Sequence, residues 1–207
     1  MTILTLLDHA AVFVFALTGA LVASRAQLDV VGFVFLATLT AVGGGTLRDL
    51  LLDRPVFWLE APSYLGSAGI AALIVYFTAH LLESRLKTLF WLDAAALGSA
   101  VAAGVGVAIE AELRWPIVLV MGVATGTFGG LMRDVVANEV PLILRSGELY
   151  VTTALAGSLT ALIALQFGLA LPICLALAAL TTFLLRAGSL AFGWNLPRYK
   201  PSPPRTF

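Results

Sequence analysis

Residues 43–49 read GGGTLRD, and residues 126–134 read GTFGGLMRD. Sliding the chain against itself by the offset from Arg48 to Arg133 places Gly44-Gly45 on Gly129-Gly130 and Arg48-Asp49 on Arg133-Asp134. The same offset brings Leu7-Asp8 onto Leu92-Asp93 and Gly19 onto Gly104; one more residue of shift aligns Pro55 with Pro141 and Tyr64 with Tyr150. The matched residues are the rarer ones in a chain dominated by Leu, Ala and Val, so the pattern marks a duplication.

Composition sets the solvent in which that duplication folds. The 207 residues are 60% hydrophobic and 12% charged, with a mean hydropathy of +0.99; an ordinary soluble domain carries about twice that charge fraction. The formal net charge is zero, which leaves no basic field for nucleic acid. Cys174 is the single cysteine, expected as a small packing residue; with it an intramolecular disulfide and a cysteine-based metal cluster are both excluded. His9 and His80 stand isolated, so no metal site is expected.

Apolar runs of about 18 to 22 residues, enough to cross about 30 Å of hydrocarbon, fall at 6–23, 30–47, 64–82, 89–109, 115–132, 149–167 and 169–192. The expected fold is therefore an all-α polytopic membrane protein of seven transmembrane helices, a single membrane domain over 1–207. Residues 5–83 form a first three-helix repeat, 90–168 a second, 169–193 a seventh helix and 194–207 a basic, Pro-rich cytoplasmic tail. Three crossings per repeat invert the second copy relative to the first. Trp58, Trp91, Trp115 and Trp194 fall near helix ends, where aromatic rings favour the headgroup level. Arg25, Arg85, Lys87, Arg133, Arg145, Arg198, Lys200 and Arg205 lie on the side of the C-terminus, against Arg48, Arg54 and Arg114 opposite. The positive-inside rule then makes the N-terminus external and the C-terminus cytoplasmic.

The candidate ion pathway is Gly43, Gly44, Gly45, Thr46, Arg48 and Asp49 with Gly126, Thr127, Gly129, Gly130, Arg133 and Asp134. Consecutive glycines weaken a membrane helix by about 1 kcal/mol each relative to alanine, and carbonyls freed at a break can replace part of an ion's hydration shell. The competing reading is a seam of close helix packing. Adjacent helical residues point about 100° apart, so Arg48 and Asp49 are not expected to pair; Asp8, Asp93, the copy-related residues or water are the candidate partners. Alternatively the arginines snorkel to the interface, as is expected of Arg186, and Asp8 and Asp93 cap helix starts. No nucleophile and base arrangement, phosphate loop or zinc spacing is found, which disfavours an enzyme.

The paired motif, and above all GTFGGLMRDVVANEVPLILRSGELY at 126–150, resembles the bacterial members of the trimeric intracellular cation channel family, sequences also labelled as two copies of a glycine-transporter-like domain. That resemblance implies a homotrimer in the inner membrane with one pore per subunit for permeant K⁺ and, less well, Na⁺. It also implies that Gly43, Gly44 and Gly45 kink the second helix and Gly129 and Gly130 the fifth. Phe128 stands where the first motif has Gly43, so the two halves should not be equivalent. The first functional expectation is a cation channel between the repeats; the alternative is a secondary transporter of a small neutral amino acid such as glycine. A third, weaker reading is a membrane scaffold.

Overall fold

The structure, a computed structural model, describes residues 3–82, 84–145 and 148–197. Of the tail expected over 194–207, Arg198, Lys200 and Arg205 lie outside the described residues. The helices are α1 (Ile3–Arg25), α2 (Val30–Leu51), a short α3 (Phe57–Glu60), α4 (Ser63–Thr78), α5 (Arg85–Glu110), α6 (Trp115–Val136), α7 (Val151–Gln166) and α8 (Leu171–Phe192). Among the described residues, six stretches are long and apolar enough to cross a membrane, and α7 is a shorter apolar helix. At 16 residues, α7 spans about 24 Å at 1.5 Å per residue, less than the run 149–167 promised.

Local chemistry accounts for the helix ends. Asp29 caps α2 by accepting from Gly32 N at 2.8 Å, and α8 stops at Gly193 in the left-handed region. The turns after α1 and α5 carry Gln27 (φ 54) and Glu112 (φ 53), and those after α2 and α6 carry Asp53 (φ 50) and Asn138 (φ 55). These left-handed residues fall at matching positions of the two copies.

α1 and α5 form the central pair. α1 packs against α2, α4 and α5; α5 packs against α6, α7 and α8; and α2 crosses α6 between the repeats. One apolar core lies mainly among α1, α2 and α4 and another mainly among α5 to α8, and Ala11, Phe15, Ala96 and Ala100 form a third, smaller cluster of α1 and α5 residues. The outer faces, such as Ile70, Leu73, Ile74 and Phe77, are apolar and exposed, as hydrocarbon requires.

The expected break at the glycines is absent: α2 and α6 run as unbroken α-helices through Gly43–Gly45 and Gly126–Gly130. A Cβ on Gly44 would meet the carbonyl oxygen of Thr125, and one on Gly129 the carbonyl oxygen of Thr40. The same threonines press their side chains on their own repeat, Thr40 Oγ1 against Gly19 and Thr125 Oγ1 against Gly104, each 2.6 Å from where a Cβ would sit. Here the glycines let two backbones touch, so their helical hydrogen bonds stay made and no carbonyl is released.

Gly44→Ala or Gly129→Ala should therefore destabilise the protein by about 1–3 kcal/mol, the usual cost of overpacking, whereas Gly69→Ala, whose Cβ meets nothing within 4 Å, should not. Unfolding in mixed detergent micelles checks this; equal stability of all three variants would refute the backbone contact.

Candidate functional site

Each repeat closes an Arg–Asp triad around its second helix. In the first, Arg48 Nε donates to Asp49 Oδ1 at 2.8 Å and Arg48 Nη1 to Asp8 Oδ1 at 2.9 Å, while Asp49 Oδ2 accepts from Phe57 N at 2.9 Å. In the second, Arg133 Nε donates to Asp134 Oδ1 at 2.8 Å and Arg133 Nη1 to Asp93 Oδ1 at 3.0 Å, while Asp134 Oδ2 accepts from Leu142 N at 2.9 Å. Adjacent Arg and Asp do pair, against expectation: the arginine stem is long enough to curl across the 100° step and present Nε sideways. Nor do these arginines snorkel, since Arg48 is 2% and Arg133 0% exposed. Asp8 and Asp93 lie inside α1 and α5 rather than at their caps. A buried guanidinium is tolerated when carboxylates compensate its charge; two serve each, while Arg133 Nη2 and Asp93 Oδ2 have no hydrogen-bond partner among the described residues.

The triads differ in what surrounds them. Tyr64 lies tilted against His9 and edge-on to Phe57, and the Asp8 triad opens into a polar cavity of ≈ 180 Å³ that Arg54, Glu60 and Glu110 also line. The Asp93 triad is sealed. Arg133 Nη1 also donates to Thr18 Oγ1 of the first repeat at 2.8 Å. Tyr150 is buried beside the triad, its hydroxyl 3.3 Å from a Cβ position on Gly130. Arg186 of α8, expected to snorkel, is instead fully buried: it donates to Glu148 Oε2 at 2.6 Å and lies 5.0 Å from the Tyr150 ring centre. Its charge is met by Glu148 in the segment before α7, so it has no reason to reach for the interface.

The predicted pathway residues divide into groups. Gly44 and Gly129 sit at the crossing, Gly45 against Phe57, and Gly130 beside Tyr150 and Asp93. Gly43 and Thr46 face an apolar cleft of ≈ 280 Å³ with Phe128, Met132 and Trp58; Trp58 Nε1 donates to Thr46 Oγ1 at 2.9 Å. Gly126 packs on Val101 of α5, and Thr127 returns its hydroxyl to Val123 O at 2.9 Å. A third space, of only ≈ 10 Å³, runs from Asp8 to Gly44, Gly45, Phe57 and Thr125, at the lower limit for one water. Sequence reasoning missed Thr18, Phe57, Leu142, Glu60 and Glu110. The aligned pairs Pro55/Pro141 and Tyr64/Tyr150 were the available hint that the segments after α2 and α6 fold back onto the triads.

The model of the family described as glycine transporter matches the chain twice, over residues 5–80 and 90–166. The solved structure of the TRIC trimeric intracellular cation channel orthologue from Rhodobacter sphaeroides is similar at 42% identity; the match covers 93% of this chain and 100% of that one with a TM-score of 0.89. The chain belongs to the TRIC channel family. A further solved structure, described for conductance through TRIC cation channels, is 32% identical over 96% of this chain and 98% of that one, with a TM-score of 0.85. The inner membrane protein YadS of Escherichia coli, of the group UPF0126, is 36% identical over 93% of this chain and 94% of its own length. The TRIC family is one of membrane channels and not of enzymes.

Within this TRIC homologue, Arg133→Met strands two buried carboxylates and should cost about 3–5 kcal/mol. Arg48→Met should cost less, because the Asp8 side chain is 14% exposed and meets the cavity. Unfolding free energies in mixed micelles test the order; an equal or reversed order would show that the cavity does not solvate Asp8.

Proposed function

We propose that this chain is a passive channel for monovalent cations, K⁺ in preference to Na⁺, with one pathway per subunit between the two repeats. The polar cavity carries the reading: its wall holds Asp8, Asp49, Glu60 and Glu110 against Arg48 and Arg54. A carboxylate excess with low-dielectric walls concentrates cations at the mouth. From Asp8 the route continues through the narrow space to the α2–α6 crossing, with Arg48 and Arg133 neutralised beside it. The unbroken helices there offer no dehydrating carbonyls, so conduction requires α2 and α6 to part at Gly44 and Gly129. Fixed helices in contact through bare backbone separate with little repacking of side chains.

The assembly is a homotrimer in the inner membrane, in keeping with the trimeric channels and the inner membrane protein to which the chain is similar. The N-terminus is external and the C-terminus cytoplasmic. Arg48 and Arg133 are buried and drop out of the loop tally, and Arg25, Arg85, Lys87 and Arg145 still outnumber Arg54 and Arg114. The cavity then opens outward. Transport of glycine is the second reading, favoured by a cavity bearing both charge signs that would suit a zwitterion.

Planar-bilayer recording with K⁺, Na⁺ and Cl⁻ gradients imposed separately should give discrete steps and a cation-selective reversal potential, altered by Gly129→Ala and by Asp134→Asn. No conductance, together with saturable glycine uptake into vesicles, would sink the channel and favour the transporter. Glu60→Gln with Glu110→Gln should lower K⁺ conductance at low salt, and the difference should fade near about 1 M, where the screening length falls to about 3 Å. A deficit that persists at high salt would mean these carboxylates do not act by concentrating ions.

A further inference from the structure

The two ends of the bundle place opposite charges at equivalent inter-repeat positions, with the polarity reversed. At one end Arg25, the last residue of α1, donates to Glu139, just past α6, at 3.1 Å. Under the offset that relates the repeats, Arg25 corresponds to Glu110 and Glu139 to Arg54. The equivalence is geometric as well: Arg25 and Glu110 each stand two residues before a left-handed residue (Gln27, Glu112), and Arg54 and Glu139 each follow one (Asp53, Asn138). Arg54 N and Glu139 N make the same turn bond, to Asp49 O at 2.9 Å and Asp134 O at 2.8 Å. Yet Arg54 and Glu110 make no ion pair among the described residues; both are exposed, on the wall of the polar cavity. The end whose pair is made covers the sealed triad, and the end whose pair is apart holds the open one.

We propose that these pairs are latches, one on each mouth of the pathway: Arg25–Glu139 holds its end shut in this conformer, and Arg54–Glu110 shuts the other end when it forms. Each latch joins the end of a central helix of one repeat to the segment following the crossing helix of the other, so fastening it draws α1 to α6, or α5 to α2. The reversed polarity preserves complementarity at each end while preventing Arg25 and Arg54, or Glu110 and Glu139, from being interchangeable. This inference rests on the channel reading for its consequence for current, while closure of the cavity end is testable without current.

Two measurements on the full chain separate these. First, Arg54→Cys with Glu110→Cys, purified and mildly oxidised, should form a disulfide detected by peptide mass, faster than the non-equivalent Glu60→Cys with Glu110→Cys pair on the same cavity wall. A rate no faster than that control overturns the cavity-end latch whether or not the protein conducts. Second, in bilayers, Arg25→Glu should raise open probability about two- to five-fold, the shift expected on losing a half-exposed ion pair, and Arg25→Glu with Glu139→Arg should bring it back. An unchanged single variant, or a double variant that stays raised, overturns the Arg25–Glu139 latch. Absence of current in every variant, with disulfide formation intact, would discard the channel and keep the closure.

Discussion

Two guanidinium groups buried in an apolar bundle are the constraint from which the rest of this structure follows. A charge of that size leaves water only if carboxylates compensate it; Arg48 and Arg133 each find two within their own repeat, and Arg133 adds Thr18 of the other repeat while its Nη2 has no hydrogen-bond partner among the described residues. One carboxylate comes from the next residue and one from the preceding helix of the repeat, and a backbone N–H steadies the far oxygen. Satisfying the triad ties the first helix, the second helix and the segment after it into one unit. That accounts for the segments of Phe57 and Leu142 folding back onto the triads.

The threonine and glycine contacts then join the two units. Thr40 and Thr125 each touch a glycine of their own repeat through the side chain and a glycine of the other repeat through the carbonyl. A contact of backbone on backbone lets α2 and α6 approach more closely than interdigitated side chains would. The buried bond from Arg133 to Thr18 adds a side-chain tie between the same two units.

Asymmetry enters through α8, which has no counterpart in the first repeat. It delivers Arg186 to Glu148 and Tyr150, burying the neighbourhood of the second triad. Among the described residues nothing comparable covers the first, whose tyrosine lies tilted against His9 and whose Asp8 meets a cavity. Two copies with the same internal bonds thus differ in solvent access.

The duplication, the membrane setting and the helix count were legible in the chain itself, because hydropathy and repetition are properties of residue order. The same residues misled where three dimensions mattered. Glycine in a helix reads as a weakness, but at Gly44 and Gly129 a neighbouring carbonyl occupies the missing side chain's place and the helix stays whole. Adjacent Arg and Asp read as diverging, but the arginine's reach overrides the helical step. Which triad would be open, that Arg186 would point inward, and that Arg25 would meet Glu139 while Arg54 and Glu110 stand apart were decided only by the tertiary structure. Solvent access and ion pairing depend on which distant segments cover a residue, and no local pattern encodes that cover.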